Sequence, residues 1–248
     1  MKNKIINITI IVMLIIFISF RISIACEELQ KDSQNFEYPV IDLPAAFTGS
    51  LPEISSSETV YYLELNQEHF KEVTFYKDNK LNSSVTAGTW TQSADTLYLF
   101  TEDDEILKRF RYVNNQLILL QSTERNGSDG LYALNTVGEF ASITNHHKNL
   151  KDEGVNFVAS GNEPFWSFRI DSDGNLNYRE PDFSTSEQLE ERSREQSSFE
   201  FSIRKNSSDI NIEVNEGYCI DSMSGFLFTH SLTLFENGKA FYGCGKYL

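Results

Sequence analysis

The sequence predicts a mostly β protein, in which a small antiparallel barrel is followed by a second small β-rich, or α+β, domain closed by a disulfide. Short runs rich in aromatic and branched residues recur along the chain, as is typical of strands. Turns rich in Asn, Asp and Gly separate many of these runs. One polar stretch without strand alternation divides the runs into two groups, and we therefore expect two domains.

The N-terminal segment predicts export from the cytoplasm. Lys2 and Lys4 precede a largely apolar run over 5–20, and a small residue precedes Cys26. A charged start, a short apolar run and a small residue before the cut are features of an export signal. The run is also shorter than the roughly 20 apolar residues that comfortably span a bilayer. We therefore assign residues 1–25 to a signal peptide.

A small residue followed by Cys26 resembles the bacterial lipobox, in which the thiol is acylated and the chain is cut just before it. Ser23 and Arg21 depart from the usual pattern, and the alternatives are an uncleaved membrane anchor or a secretory peptide with an incidental cysteine. The resemblance implies a stable lipid anchor on Cys26, with 26–41 as a tether. Since Glu27 is not the aspartate that retains lipoproteins at the inner membrane in enteric-type sorting, we expect the outer membrane, facing the periplasm.

The charge of the chain excludes one class of partner. The full chain has 21 basic and 36 acidic residues, and removal of 1–25 takes away three basic and no acidic residues, which leaves 18 against 36. Such an acidic surface repels nucleic acid, because binding to nucleic acid depends on Lys and Arg side chains that neutralise phosphates. It also repels anionic lipid headgroups. We therefore expect no nucleic-acid partner, attachment to the membrane through lipid, and a solubility role for the acidic residues.

The sequence contains three cysteines, and each must be assigned a chemical state: acylated, disulfide-bonded or free. If Cys26 carries lipid, Cys219 and Cys244 remain as a pair in an oxidising compartment, where disulfides persist. The alternative is a reactive or metal-binding pair of thiols, but metal sites usually need closer spacing and nearby histidines. The histidines are His69, His146, His147 and His230. We predict a structural disulfide, no metal site and no cofactor.

Residues 42–136 predict the barrel. The strand-like runs are Val60–Asn66, Phe70–Asp78, Thr96–Glu102, Leu107–Val113, Gln116–Ser122 and Gly130–Asn135. Several of them alternate apolar with polar residues, as half-buried strands do. Turn signals lie at Lys77–Lys80, Val113–Gln116 and Asn126–Gly130. Regular short strands with tight turns favour a barrel, because closure removes exposed edges.

Residues 137–155 lack strand alternation and predict a connection between the domains, with room for a helical turn. The adjacent His146 and His147 raise the question of a metal site. Neighbouring histidines on a flexible segment do not both reach one ion with good geometry unless other ligands help. We interpret the segment as a solvated linker.

Residues 156–248 predict the second domain. Its strand-like runs are Asn156–Ser160, Phe165–Ile170, Phe199–Arg204, Ile210–Asn215, Ser231–Glu236 and Lys239–Gly243. Hairpin turns are predicted at Asp171–Asn175 and Glu236–Lys239. The segment Ser184–Gln196 begins with a candidate capping box, Ser184 with Glu187, and predicts an exposed helix or an acidic loop.

Several residues of the first half follow a recognisable pattern. They are Phe47, Gly49, Leu51, Pro52, Gly88–Trp90 and Asp95–Phe100. The pattern resembles the N-terminal domain of the NlpE copper-resistance lipoproteins, and it implies a lipocalin-like barrel on a lipid-tethered envelope protein. Glu53–Glu58 stands where that family has a Cys-x-x-Cys pair. Serine hydroxyls do not replace the soft thiolates that select copper(I), so we expect no copper binding there.

Three short motifs mark the second half. They are "GNEPFW" at Gly161–Trp166, the pattern of Cys219, Asp221, Met223 and Ser224, and "GCG" at Gly243–Gly245. Together they resemble a family of bacterial envelope lipoproteins that carries no established activity; a likeness to META/HslJ-type envelope domains is weaker.

The motif residues Asn162, Glu163, Trp166 and Asp221 form the candidate site, as a structural clasp or a ligand site. As a clasp, a tight turn leads into a strand that buries Phe165 and Trp166. In that case Asn162 and Glu163 hydrogen-bond backbone groups around 222–225. As a ligand or acid–base site, Glu163 and Asp221 converge in a pocket floored by Trp166.

The sequence thus predicts a lipid-anchored, non-catalytic binding, sensing or assembly module of the cell envelope, because no nucleophile has a partnered base. Its expected partners are the membrane, through the lipid, and an envelope protein or a small apolar ligand at the barrel. The alternative is an enzyme with the acid/base carboxylates Glu163 and Asp221. A third reading, metal handling, requires several ligands to meet near His146, His147 or His230.

Overall fold

The computed structural model describes residues 38–51, 59–76, 83–120, 132–189, 198–206 and 208–248. The predicted signal peptide, Cys26, the tether as far as residue 37 and Glu53–Glu58 lie outside the described residues, as do the predicted turns Lys77–Lys80 and Asn126–Gly130. Pro39–Leu248 form one compact unit. Within the described residues, no helix has the length and hydropathy needed to span a bilayer.

The described chain forms two sheets and a helix. The strands of the first sheet are β1 (Ala45–Gly49), β2 (Thr59–Leu65), β3 (His69–Tyr76), β4 (Ser83–Ser93), β5 (Thr96–Phe100), β6 (Ile106–Val113), β7 (Gln116–Leu119) and β8 (Ala133–Thr136). Helix α1 (Phe140–Asp152) follows. The strands of the second sheet are β9 (Val155–Asn162), β10 (Phe165–Asp171), β11 (Asn175–Glu180), β12 (Phe183–Gln188), β13 (Phe199–Lys205), β14 (Ser208–Ile220), β15 (Leu227–Glu236) and β16 (Lys239–Tyr247).

The first eight strands pair in chain order and close into an antiparallel barrel. Closure is made by β1 and β8, which place Phe47 opposite Thr136. The two-residue period of a strand turns Tyr61, Leu63 and Leu65 of β2 toward one interior. The fold class predicted from the alternating runs is therefore confirmed for this half.

A charged pair lies inside the barrel among apolar side chains. Lys108 Nζ donates to the two carboxylate oxygens of Glu72 at 3.0 and 3.1 Å, and the Tyr61 hydroxyl donates to the same carboxylate. The two charged side chains are 11% and 8% exposed. Partners of opposite charge and a hydroxyl offset the cost of removing these groups from water. This pair was not predicted from the sequence.

The second sheet has eight strands in the order β12-β11-β10-β9-β16-β15-β14-β13. Two four-stranded meanders meet where β16 pairs with β9, with Cys244 opposite Ser160. One face encloses a core that includes Phe157, Trp166, Phe168 and Tyr178. The predicted β-rich fold of the second half is confirmed.

Side chains link the outermost strand β13 to β12, β11 and β15 of the same sheet. The backbone N–H of Arg204 donates to Glu187 Oε1 at 3.2 Å. Lys205 Nζ lies 2.5 Å from Glu180 Oε2 and 2.9 Å from Glu236 Oε1. These contacts hold the sheet in a curled, barrel-like shape around its core.

The prediction of an exposed helix or acidic loop at Ser184–Gln196 is wrong for its first part. Phe183–Gln188 is strand β12, which pairs with β11 and places Ser184 opposite Arg179. The edge of β11 offers unpaired backbone groups, and pairing with them outweighs the weak strand preference of these polar residues. Residues 190–197 lie outside the described part of the chain.

The predicted linker contains helix α1, which is longer than a single turn. The helix buries Phe140 and Leu150 and ends at Asp152. Just past this end, the Gly154 N–H donates to Lys151 O at 2.9 Å. Gly154 has a φ of +88°, which favours glycine. The interpretation of this segment as fully solvated is therefore wrong.

An apolar cluster joins the outside of the barrel, α1 and the second sheet. It includes Tyr62 and Phe75 from the barrel, Phe140 from α1, and Phe226 and Phe228 from the segment at β15. The Tyr62 hydroxyl accepts a hydrogen bond from the Leu227 N–H at 3.3 Å. This shared core explains why the two sheets belong to one unit.

His147 of α1 packs into this cluster. Its ring lies 5.3 Å from that of Phe226 and 5.9 Å from that of Phe228, edge to face. Burial, together with the charge of Lys246 and the neighbouring His146, lowers the pKa of His147 from 6.5 to about 4. The side chain is therefore neutral at physiological pH.

Candidate functional site

The predicted disulfide is present. Cys219 of β14 and Cys244 of β16 are bonded, with their Cα atoms 5.6 Å apart. The bond joins the two strands that flank β15, next to the register shift between Glu216 and Cys219. It holds the loop that follows β14 against the sheet.

The motif at Gly161–Trp166 forms the tight turn between β9 and β10, in which Asn162 pairs with Phe165. Trp166 is 3% exposed and lies in the core, whereas Phe165 is 57% exposed. The expectation that both aromatic residues are buried is wrong for Phe165, because successive residues of a strand face opposite sides of the sheet.

Two motif glycines make room for the Trp166 indole. A Cβ on Gly161 would lie 2.4 Å from Trp166 Nε1, and a Cβ on Gly243 would lie 2.4 Å from Ser160 O and 2.5 Å from Trp166 Cζ2. No side chain fits at such distances without movement of its neighbours. The glycines of the first and third motifs therefore pack against the same aromatic residue.

The loop after β14 is organised by Asp221. Its Oδ1 accepts hydrogen bonds from the Ser224 N–H at 2.7 Å, the Ser224 hydroxyl at 2.8 Å and the Met223 N–H at 3.1 Å. Burial alone would raise the pKa of Asp221, but these bonds and one from Asn162 hold its pKa below the usual value. Asp221 is therefore ionised at neutral pH, which suits a structural anchor better than a general acid.

Asn162 connects the first motif to the second. Its Nδ2 donates to Asp221 Oδ2 at 2.8 Å and to Ser222 Oγ at 3.2 Å. The expected partners of Asn162 were backbone groups of this loop; the observed partners are side chains. Glu163 is exposed and makes no hydrogen bond or ion pair within the described residues.

The three motifs surround an open cleft of about 450 Å³, which we name the three-motif cleft. Its walls are the end of the β9–β10 hairpin, the loop after β14, and strands β15 and β16. The polar residues among its described walls are Asn162, Glu163, Asp221, Ser222, Ser231, Thr233 and Tyr242. The candidate carboxylates Glu163 and Asp221 thus meet in one cleft.

Trp166 does not line the three-motif cleft. It borders a separate hollow of about 320 Å³, together with Phe165 and Arg179. Its indole nitrogen is buried without a hydrogen-bond acceptor among the described residues. The expectation of a Trp166 floor beneath Glu163 and Asp221 is therefore wrong, because the indole lies on the core side of the sheet.

The histidines do not form a metal-binding cluster within the described residues. No group of three His, Cys, Asp or Glu side chains within the described residues is placed to hold a metal ion. His230 is buried, and its ring contacts those of Phe157 and Tyr247 at 5.4 and 5.3 Å. His146 is exposed, and His147 packs into the shared core.

Tyr242, which is 73% exposed at the cleft, was not among the predicted site residues. It stands two residues before Cys244, so the alternation of β16 places both side chains on one face of the sheet. That alternation, read outward from the predicted disulfide, was the signal that could have found it.

Comparisons with known proteins show no family for this chain. No family model matches it, and no curated protein matches it. One similar solved structure is the crystal structure of the Cpx pathway activator NlpE from Escherichia coli, with 11% identity over 83% of this chain and 96% of that chain. Its TM-score is 0.28, and a likeness this low carries no argument about fold or function.

Proposed function

We propose that this protein is a lipid-anchored, non-catalytic binding or assembly module of the bacterial cell envelope. The observation that carries the proposal is the bond between Cys219 and Cys244. It accounts for two of the chain's three cysteines and leaves Cys26, directly after an export-like segment, for acylation. The disulfide also suits an oxidising compartment.

The outer membrane is the proposed site of attachment, with the body of the protein in the periplasm. Glu27 supports this placement, since it is not the aspartate of inner-membrane retention. The acidic surface supports attachment through lipid alone, because it is repelled by anionic headgroups.

The three-motif cleft is the proposed binding site. The barrel interior is occupied by its own side chains, among them Phe47, Leu63, Leu65 and Phe70, each at most 2% exposed. That filling favours an envelope protein over a small apolar ligand inside the barrel. An open cleft with polar walls also suits a protein partner.

Acid–base catalysis is the second candidate, and the meeting of Glu163 and Asp221 in one cleft favours it. A depressed pKa and four hydrogen bonds make Asp221 a poor proton donor. We assign Asn162 and Asp221 to a clasp that positions the loop after β14, and we leave Glu163 outside the clasp as a binding residue.

Mass spectrometry of the mature N-terminal peptide from fractionated cells tests the proposal. We expect an acylated Cys26 in the outer-membrane fraction and no thiol in the body of the protein open to alkylation without reductant. A Cys26→Ala variant is the control and should lose the lipid and leave the membrane fraction. An unacylated chain in the cytosol with reduced cysteines would contradict the proposal.

A further inference from the structure

The three-motif cleft carries negative charge without a counter-charge. Glu163 and Asp221 both line it, and none of its described lining residues is Lys, Arg or His. Asp221 is held by its own loop, whereas Glu163 is exposed and has no partner within the described residues. One carboxylate of the cleft is thus free to meet a cation.

Large apolar side chains stand exposed at the cleft and next to it. Tyr242 lines the cleft, Phe165 borders the separate hollow, and Met223 follows the lining residue Ser222 in the loop after β14. Phe165, Met223 and Tyr242 are 57%, 69% and 73% exposed. Phe165 is the partner of Asn162 across the hairpin. Tyr242 and Asn162 both line the cleft, just beyond the point where the pairing of β9 with β16 ends at Ser160 and Cys244. Exposed Tyr, Phe and Met are enriched at protein interfaces.

We propose that the three-motif cleft binds an arginine side chain presented by an extended segment of a partner protein. The proposal rests on the proposed binding function and names its ligand chemistry. A guanidinium group is planar and presents a fork of N–H donors that matches a carboxylate, here that of Glu163. Its flat face stacks on an aromatic ring, here that of Tyr242. Apolar residues on either side of the arginine pack against Phe165 and Met223.

Charge distinguishes this ligand from others that fit a polar cleft. A neutral sugar would remove the Glu163 carboxylate from water without an opposite charge, which is costly. A lysine would meet the charge but would lack the flat face and the fork. An apolar ligand would leave the hydroxyls of Ser231 and Thr233 without partners.

A peptide titration of the full mature, lipidated protein in detergent tests the proposal. The probes are the acetylated, amidated pentapeptide Ala-Leu-Arg-Leu-Ala and its versions with citrulline or lysine in place of arginine, followed by NMR or calorimetry. We expect saturable binding of the arginine peptide that weakens with added salt. The affinity for the citrulline peptide should be at least about tenfold lower, since citrulline keeps the shape of arginine but loses the charge-assisted hydrogen bonds.

Variants of the protein locate the binding site. Glu163→Gln and Tyr242→Ala should each lower the affinity for the arginine peptide by about tenfold. Glu163→Gln should leave the thermal unfolding temperature unchanged. The matched controls are Glu102→Gln, at an exposed position of the barrel half, and Tyr38→Ala, in the predicted tether. Both should bind as the parent does.

Equal binding of the arginine and citrulline peptides, or an unaltered affinity of Glu163→Gln, would overturn the arginine site. So would an absence of peptide binding, or binding of a chitin trisaccharide in its place. Mass spectrometry of Cys26 on the same sample separates the two proposals. A lipidated protein that ignores the arginine peptide contradicts the arginine site alone, whereas an unlipidated cytosolic chain contradicts the proposed function.

Discussion

The packing of Trp166 against Gly161 makes a prediction that a double-mutant cycle can measure. A Cβ added at Gly161 would lie 2.4, 2.5 and 2.8 Å from three atoms, all of them in the Trp166 indole. The indole is 3% exposed and stacks on Phe168, with ring centroids 6.1 Å apart. It therefore has little room to move away.

The expected cost follows from two opposing effects. Forcing an extra carbon into a packed core costs about 1–3 kcal/mol, and the rigid indole places this site toward the upper end. Replacement of glycine by alanine restricts the unfolded chain and returns about 0.4–1 kcal/mol. We expect Gly161→Ala to lower the free energy of unfolding by about 2 kcal/mol. In a Trp166→Leu background the same substitution should cost nothing, because the obstructing atoms are gone.

Urea unfolding followed by circular dichroism measures the free energy of unfolding of the four proteins in the cycle: the parent, Gly161→Ala, Trp166→Leu and the double variant. Gly138→Ala is the matched control and should not lower stability, since no atom lies within 4 Å of its added carbon and the restricted unfolded chain returns about 0.4–1 kcal/mol. Gly243→Ala should remain costly in the Trp166→Leu background, because the Ser160 carbonyl still lies 2.4 Å away. A neutral Gly161→Ala, or a cost that adds fully to that of Trp166→Leu, would refute the packing argument.

Three further predictions concern stability. Joint replacement of Cys219 and Cys244 by serine should lower the free energy of unfolding by about 3.5 kcal/mol in the chain-entropy model, since the bond spans a sequence separation of 25; denaturant unfolding measures this loss. Lys108→Met should cost about 3–5 kcal/mol, because it leaves the Glu72 carboxylate buried without its cation, and a Glu72→Gln, Lys108→Met double variant should recover part of it. Burial lowers the pKa of His147 to about 4 in the folded protein. Between pH 6.5 and 4, His147 is therefore protonated in the unfolded chain and neutral in the folded chain. Stability should therefore fall as the pH drops through that range, and thermal unfolding of His147→Phe should show a smaller fall.

Each of these three predictions has a result that contradicts it. The serine variant should match the parent protein in reductant, and a difference there would point to a cause other than the lost bond. A double variant no more stable than Lys108→Met would show that an unpaired carboxylate is not the source of the cost. Equal pH profiles for the parent and His147→Phe would show that this histidine does not titrate differently on unfolding.

Strands rich in aromatic and branched residues were predictable from the sequence. The run Val60–Asn66 corresponds to β2 at Thr59–Leu65, and Thr96–Glu102 corresponds to β5 at Thr96–Phe100. Strands β4 and β12 were not predicted, because they are rich in Ser, Thr and other polar residues. Their structure comes from pairing with neighbouring strands, which no local pattern contains.

The candidate site also has features that were predictable from the sequence and features that were not. The three motifs and the Cys219–Cys244 pair were visible as residues, and the structure places all of them at one end of the second sheet. Their roles were not visible. Asn162 donates a hydrogen bond to the side chain of Asp221, Glu163 makes no hydrogen bond or ion pair within the described residues, and Trp166 faces the core.

Local chemistry explains this division. The order of apolar and polar residues, the turn residues and the spacing of cysteines act over a few positions, so they specify a β fold and a disulfide without reference to the rest of the chain. The side of the sheet that each motif residue faces depends on the register between strands distant in sequence, such as Ser160 opposite Cys244. Folding alone therefore decides that Tyr242 and Glu163 share an open cleft while Trp166 lies in the core on the other side of the sheet.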